Sequence, residues 1–149
     1  MSGDLQRLSQ EYEELAEQIE ELEEVVAGID EEIQGCEEAI ETLENIEDDS
    51  EILVPIGGET RIKATVEDVN EVVVGIGADV SVELDRDGAI DSIEEKKDEL
   101  EETKDQTQAE IDSKKEQLEE VAQKAQQAQM AQQQQQMQGL GQGQGQGQE

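Results

Sequence analysis

The sequence predicts an α+β protein in which two long helices form an antiparallel coiled coil with two β-hairpins between them. Three observations predict this fold: a first apolar heptad repeat, a middle segment of short β-branched runs, and a second heptad repeat. Tyr12 is the only aromatic residue. Aromatic side chains bury the most area per residue, so a chain with only one of them should gain its stability from helix seams and from partner chains.

The first helix is predicted over residues 1–47, where apolar residues alternate at spacings of three and four without a break. This spacing gives apolar a and d positions, which are typical of a left-handed coiled coil. About half of the remaining positions are Glu or Asp, and Arg7 is the only basic residue among them. The seam positions are Leu5, Leu8, Tyr12, Leu15, Ile19, Leu22, Val26, Ile29, Ile33, Cys36, Ile40 and Leu43.

Residues 51–84 change to the period of β-strands and predict two hairpins. Their turns are expected at Gly57 and Gly58 in the first hairpin and at Gly77, Ala78 and Asp79 in the second. Pro55 has no N–H for a ladder hydrogen bond and should lie at an edge or a bulge. Apolar residues occupy both faces, so we expect the hairpins to be a platform for subunit assembly. The predicted interface residues are Ile52, Leu53, Val54, Ile56, Val72, Val73, Val74, Ile76, Val80 and Val82.

The second helix is predicted over residues 88–131, and its seam is weaker because it includes three lysines. Folding back antiparallel places Ile33 near Lys104 and Leu22 near Lys114, beside the acidic first helix. The lysines can keep their stems in the seam and their ammonium groups at its rim. Residues 132–149 are Gln and Gly of low complexity and predict a disordered tail.

The formal net charge of −32 excludes several classes of function. Nucleic acids and anionic membranes both repel such a surface. At molar salt the Debye length falls to about 3 Å, so self-repulsion is screened and the composition indicates a halophile. The sequence has no transmembrane span and no signal peptide, and the single Cys36 fits a reducing cytoplasm.

The residue types present give no indication of a catalytic site. His is absent and Cys36 stands alone, so the common nucleophile–base pairs are missing. No phosphate-binding loop is present, and no cofactor or metal is predicted. Residues 83–94 do place acids at EF-hand positions 1, 3, 5, 9 and 12, with Gly88 at position 6. A calcium-binding module there is an alternative to a helix N-terminus capped by Asp residues.

The order of helix, two hairpins and helix resembles the alpha subunits of archaeal prefoldin. Three motifs carry the resemblance: ILVPIGG at 52–58, VVVGIGADVSVE at 72–83 and AIDSIEEKKDEL at 89–100. The resemblance covers roughly residues 5–128. The extreme acidity and the Gln/Gly tail depart from the common family pattern.

The resemblance implies a hexamer of two alpha and four beta subunits, in which the hairpins form a β-barrel platform. It also implies a chaperone that holds unfolded client proteins at the distal coil tips without ATP and passes them to a group II chaperonin. A coiled-coil tether or scaffold that assembles through the same hairpins is the alternative. Mapped onto this chain, the client-binding residues are Leu5, Leu8, Tyr12, Leu15, Leu118, Val121, Ala125 and Ala128.

Overall fold

The structure is a computed structural model that describes the backbone of residues 2–146 and the side chains of residues 3–140. The predicted fold class is confirmed, because two long helices enclose two small antiparallel hairpins in the sequence order. The hairpins are two separate, open two-stranded sheets. The elements are α1 (Ser2–Asn45), β1 (Glu51–Gly57), β2 (Thr60–Thr65), β3 (Val72–Gly77), β4 (Val80–Leu84) and α2 (Arg86–Gln146).

The chain divides into two units, which we name the terminal unit and the central unit. The terminal unit combines α1 up to Val26 with α2 from Asp105 onward, and the central unit is Ala27–Lys104. In the terminal unit, Leu8, Leu15 and Val121 form a buried apolar cluster. These residues occupy predicted seam positions, so the heptad spacing identifies the packed face of each helix.

The α1 seam is confirmed almost throughout, because each of its predicted positions is buried or half-buried except Tyr12. The seam lysines of α2 also lie where the sequence places them. In the central unit, Lys104 pairs with Asp30 at 2.6 Å, and Asp30 is one turn from the predicted neighbour Ile33. In the terminal unit, the Lys114 ammonium donates to the Gln18 side-chain oxygen at 2.9 Å.

The first hairpin turns one residue later than the sequence predicts. Glu59 and Gly58 are the two left-handed residues, with φ of 59° and 55°, and they separate the paired residues Gly57 and Thr60. Gly57 itself has φ of 114°, and the strand register shifts between Pro55 and Gly57. Two adjacent glycines are equally able to take positive φ, so the sequence alone does not choose between the two turn positions. Pro55 flanks the irregularity, as predicted.

The second hairpin has the same turn geometry with less permissive residues. Ala78 and Asp79 have φ of 50° and 59° between the paired residues Gly77 and Val80. Two central residues in the left-handed backbone region give the turn a twist that matches the right-handed twist of the strands. Two-residue hairpin loops prefer this geometry. The predicted turn at residues 77–79 is confirmed.

A side-chain cap starts α2 directly after the second hairpin. The Asp85 carboxylate accepts a 2.8 Å hydrogen bond from the backbone N–H of Gly88. A Cβ atom at position 88 would lie 2.7 Å from that same oxygen, so glycine allows the close approach. Asp85 is therefore the N-cap of a helix that begins at Arg86, two residues before the predicted start.

This cap is incompatible with an EF-hand loop at residues 83–94. Glu83 lies in β4, and every residue from Arg86 onward in that segment is helical. An EF-hand loop needs its ligands on a twelve-residue loop between two helices. The capping alternative is the one that the geometry supports.

Arg86 connects three parts of the central unit through hydrogen bonds. Its guanidinium donates to the carbonyl of Ile46, just beyond the end of α1, and its backbone N–H donates to the Asn70 side chain at 3.4 Å. Asn70 belongs to the connection between the two hairpins. The end of α1, the hairpin connection and the start of α2 therefore meet around one arginine side chain.

The structure differs from the sequence prediction at the C-terminal segment. Instead of ending at residue 131, α2 continues through Gln146, so α2 has 61 residues against 44 in α1. Gln, Ala and Met are good helix formers, and their local propensity continues the helix through the start of the segment predicted as a tail. Residues 147–149 lie outside the described residues.

Candidate functional site: the coil tip and the hairpin faces

An open groove of about 720 Å³ lies between α1 and α2 in the terminal unit. We call it the tip groove, because it lies at the coil end formed by the first residues of α1. Both apolar and amide side chains line it. The lining residues are Leu5, Gln6, Leu8, Ser9, Tyr12, Glu13, Val121, Ala122, Ala125, Gln126 and Gln129.

The groove exists because small residues of α2 face large residues of α1. Ala125 occupies a seam position where a coiled coil usually carries a larger residue, and Ala122 lies beside the seam; both line the groove together with Leu5 and Tyr12. Alanine maintains the helix but leaves space beside the leucine and tyrosine. The result is a concave apolar surface that the side chains of residues 3–140 leave open.

The structure brings most of the predicted client-binding residues together but gives them different accessibility. Tyr12 is 42% exposed, whereas Leu8 is 7% exposed and Leu15 is equally buried. Leu8 and Leu15 therefore hold the seam together in the closed coil. They can contact another chain only when the coil end opens, while Tyr12 is accessible without opening.

The remaining predicted residues extend the packed seam next to the groove. Leu118 and Ala125 pack on the buried cluster, and Ala128 is half-buried without lining the groove. Sequence reasoning missed the flanking residues Gln6 and Gln126, which lie beside heptad positions rather than at them. The heptad pattern could have identified both residues, because residues next to the a and d positions flank the contact between two coiled-coil helices.

The hairpins leave most of their apolar side chains exposed in the single chain. Val73 is the most exposed of them, at 71%. The exception among the predicted interface residues is Val74, which is buried within this chain, while Val72 and Val82 are half-buried. The exposed apolar residues of the hairpins are Ile52, Leu53, Val54, Ile56, Ile62, Val73, Ile76 and Val80.

The hairpin surface is too apolar to be explained as an ordinary solvent face. Apolar patches of this kind mark interaction sites, and each two-stranded sheet has unpaired edges that can add strands. A groove of about 600 Å³ lies beside β3, with Cys36, Ala39 and Ile93 among its lining residues. Cys36 has a free, buried thiol and behaves as a small seam residue.

Ion pairs hold the helices together in the central unit. The Lys97 ammonium lies 3.2 Å from a Glu37 carboxylate oxygen. The hydrogen bond to Glu37 raises the pKa of Lys97, desolvation opposes this change, and the charges of Glu37, Glu101 and Asp98 add to the rise. Acids surround this lysine on both helices, so its positive charge relieves repulsion across the seam.

The described part of the chain contains no group of three or more His, Cys, Asp or Glu side chains arranged to hold a metal ion. None of the helices within the described residues is both long and apolar enough to cross a membrane. The acids instead spread along the outer faces of the helices. The two candidate functional surfaces are therefore the tip groove and the hairpin faces.

Two long helices that enclose paired hairpins define a class of coiled-coil assembly subunit. The chain matches the family described as Prefoldin subunit over residues 15–132. The chain belongs to this family. The match includes both hairpins and most of both helices, so it rests on the whole fold rather than on the coiled coil alone.

Several curated relatives are archaeal proteins named "Prefoldin subunit alpha". The one from Haloarcula marismortui is 43% identical over 39% of this chain and 38% of its own length. The one from Pyrococcus horikoshii is 37% identical over 61% of this chain and 64% of its own length. The chain thus spans less than two thirds of each of these relatives. These matches confirm the resemblance to archaeal alpha subunits, including those of halophiles.

Among solved structures, the chain is similar to a filamentous PFD from Methanocaldococcus jannaschii determined by cryo-EM. The TM-score is 0.52 at 20% identity, and the match covers 82% of this chain and 98% of the other. At this identity the likeness shows the fold, and it agrees with the helix–hairpin–hairpin–helix order described above.

Proposed function

We propose that this chain is an alpha-type prefoldin subunit that holds unfolded proteins without ATP. The observation that carries the proposal is the tip groove, an open apolar surface on a chain that belongs to the prefoldin family. An unfolded client exposes apolar side chains, and burying them in the groove removes apolar surface from water at roughly 25 cal/mol per Å². The proposal therefore assigns a binding role and no catalytic role.

Capture in the proposal has two steps. The exposed Tyr12 and the half-buried Leu5 offer the first apolar contacts in the closed coil, and fraying of the coil end then exposes Leu8. Helix ends with few buried contacts open at low free energy. The small seam residue Ala125, with Ala122 beside it, favours such opening. Weak contacts of low specificity suit a protein that must bind many sequences and release them again.

The hairpins are the assembly surface in this proposal. Their exposed apolar residues and open edges would pair with the hairpins of other subunits, in a hexamer of two alpha and four beta chains. Residues such as Leu53, Ile56 and Val73 would be buried in a shared β-barrel platform. Delivery of clients to a group II chaperonin in the cytoplasm completes the proposed role, and no nucleic acid or membrane takes part.

The test is suppression of aggregation by the assembled protein. A denatured client is diluted into molar KCl without nucleotide, together with this chain and the subunit that copurifies with it. We expect the paired substitution Leu5→Ser and Tyr12→Ser to weaken suppression several-fold. Val25→Ser is the matched control, because Val25 is a similarly exposed apolar residue on α1 that does not line the tip groove.

Two results would contradict the proposal. An intact oligomer that fails to suppress aggregation would favour a structural tether instead of a chaperone. Equal losses in the groove variant and in the Val25 control would show that the tip groove has no special role. Sedimentation of each variant checks that the oligomer persists, so that a loss of activity can be assigned to the groove.

A further inference from the structure

The first hairpin differs in charge from the rest of the chain. Residues 51–65 contain Arg61 and Lys63 together with two acids, so this hairpin is neutral in a chain with a net charge of −32. The second hairpin, residues 72–84, contains two acids and no basic residue. The two hairpins therefore offer different surfaces to other subunits.

The two faces of the first hairpin also differ from each other. Successive side chains of a strand point to opposite faces, and the register pairs Lys63 with Leu53 and Arg61 with Pro55. Arg61 and Lys63 therefore share one face with Leu53 and Pro55, and we name it the basic face. The opposite face is apolar and includes Ile52, Val54, Ile62 and Ala64.

Both cations of the basic face lack an acidic partner within the part of the chain that the structure describes. Arg61 and Lys63 are exposed, and no carboxylate among the described residues forms an ion pair with either of them. By contrast, Lys97 and Lys115 of α2 each form an ion pair with a glutamate of α1. The chain has 42 acidic and 10 basic residues. Two unpaired cations on one strand face are therefore available to acids of another chain.

The free edge of β2 can accept another strand. β2 is one of two strands in an open sheet, so its outer edge has no strand partner among the described residues. Every residue of β2 has a backbone N–H, whereas β1 includes Pro55 and is the poorer edge for an added strand. A strand that adds to β2 would place alternate side chains beside Arg61 and Lys63, and the others beside Ile62.

Charge limits which strand fits this edge. Opposite charges in cross-strand pairs stabilise a sheet, and like charges directly opposite each other destabilise it. A second copy of β2 added antiparallel would bring basic residues against basic residues. A strand in which acidic and apolar residues alternate would instead match both faces at once. Partly buried charge pairs are screened much less than exposed ones, so this selection persists at molar salt.

We propose that the free edge of β2 is a charge-selective docking site for a strand of a different subunit, in which acidic residues alternate with apolar ones. Arg61 and Lys63 pair with the acids of that strand, and Ile62 contacts its apolar residues. The inference rests on the proposed assembly through the hairpins. It adds the edge that is used, the two residues that select the partner, and the chemistry of the partner strand.

The experiment measures assembly of the full-length chain with its copurifying subunit, by sedimentation over a range of concentrations in molar KCl. In the first variant, Arg61→Glu and Lys63→Glu reverse both charges of the basic face. We expect the concentration at half-assembly to rise about tenfold, because two attractive cross-strand pairs become repulsive. The control combines Arg7→Glu with Lys124→Glu, which makes the same charge change at two exposed residues of the terminal unit. We expect the control to assemble like the wild type.

A charge-keeping variant separates charge from side-chain shape. Arg61→Lys with Lys63→Arg exchanges the two side chains and keeps both positive charges. We expect it to assemble within about twofold of the wild type, and circular dichroism of each variant checks that the helices persist. A loss as large as that of the charge-reversed variant would overturn the inference, because charge would then not be what selects the partner.

Two labelled peptides test the chemistry of the partner strand. One peptide alternates Glu with Val, and the other alternates Lys with Val. Each is added to the separated full-length chain, and its binding is measured by fluorescence anisotropy before the copurifying subunit is mixed in. We expect only the Glu/Val peptide to bind and to inhibit assembly, and its binding should weaken several-fold in the charge-reversed variant. Equal binding of both peptides would overturn the inference.

The remaining outcomes separate this inference from the proposed function. Equal loss of assembly in the charge-reversed variant and its control, or no loss in either, would overturn the inference while aggregation suppression could still stand. Selective assembly without aggregation suppression would instead refute the holding function and support the docking site. Self-association of the separated chain that disappears in the charge-reversed variant would place a second copy at the β2 edge, and would refute a different subunit there.

Discussion

Filling the tip groove tests whether clients are captured through opening of the coil end. In the substitution Ala125→Leu, three carbon atoms are added at a half-buried position that lines the groove. Full burial of three carbons would contribute roughly 0.8 kcal/mol each, and the open groove should bury about half of that, so we expect about 1 kcal/mol. Alanine and leucine have similar helix propensities, so the gain comes from the seam.

A stabilisation of about 1 kcal/mol reduces opening of the coil end about fivefold. The assay is hydrogen exchange of the α1 amides near Leu5 and Leu8, combined with aggregation suppression by the same sample. We expect slower exchange and weaker holding together. Ala109→Leu is the control, since Ala109 is exposed on α2 and does not line the groove. Slower exchange with undiminished holding would refute capture through opening.

Three further predictions concern the parts that keep the chain folded. Ile111 is 1% exposed, so Ile111→Ala should lower the free energy of unfolding by roughly 2–5 kcal/mol in chemical denaturation, and a loss below about 1 kcal/mol would contradict its core role. Asp85→Ala removes the N-cap of α2 and should cost about 0.5–2 kcal/mol in the same assay, whereas Asp85→Asn should retain most of the cap. Because Glu37 raises the pKa of Lys97, the stabilisation from this pair is present below the ordinary lysine pKa and is lost as pH rises through the raised value. Thermal unfolding from pH 9 to 12 should therefore show a steeper alkaline loss in the wild type than in Lys97→Met, and parallel curves would refute the assignment.

The sequence predicts those parts of the fold whose signal is local. Heptad spacing identifies Leu8, Leu15 and Val121 as seam residues, because the period of the helix is carried by neighbouring residues. Turn residues identify both hairpins for the same reason. The first turn lies one residue later than predicted, because Gly57 and Gly58 are equally able to take positive φ and local sequence does not choose between them.

Features that depend on distant partners could not be predicted in this way. The contact between Arg86 and the carbonyl of Ile46 joins residues forty positions apart, and no spacing rule indicates it. The tip groove arises because alanines of α2 face large residues of α1, which requires the exact pairing of the two helices. The low-complexity composition of residues 132–149 predicts a disordered tail, whereas α2 continues through Gln146, since Gln and Met are good helix formers.

In the assembly proposed above, the stability of the two open hairpins would depend on the concentration of partner subunits. An isolated two-stranded hairpin is only marginally stable in water, so β1–β2 and β3–β4 should reach full stability only when partner strands cover them. A subunit made in excess of its partners would keep its middle segment loosely folded, and loosely folded segments are the first that proteases cut. Unpaired strand edges would then limit the number of unassembled subunits, because chains without a partner are the ones that proteases degrade. Limited proteolysis of the separated and the assembled subunit should place the first cuts between residues 51 and 84 only in the separated chain.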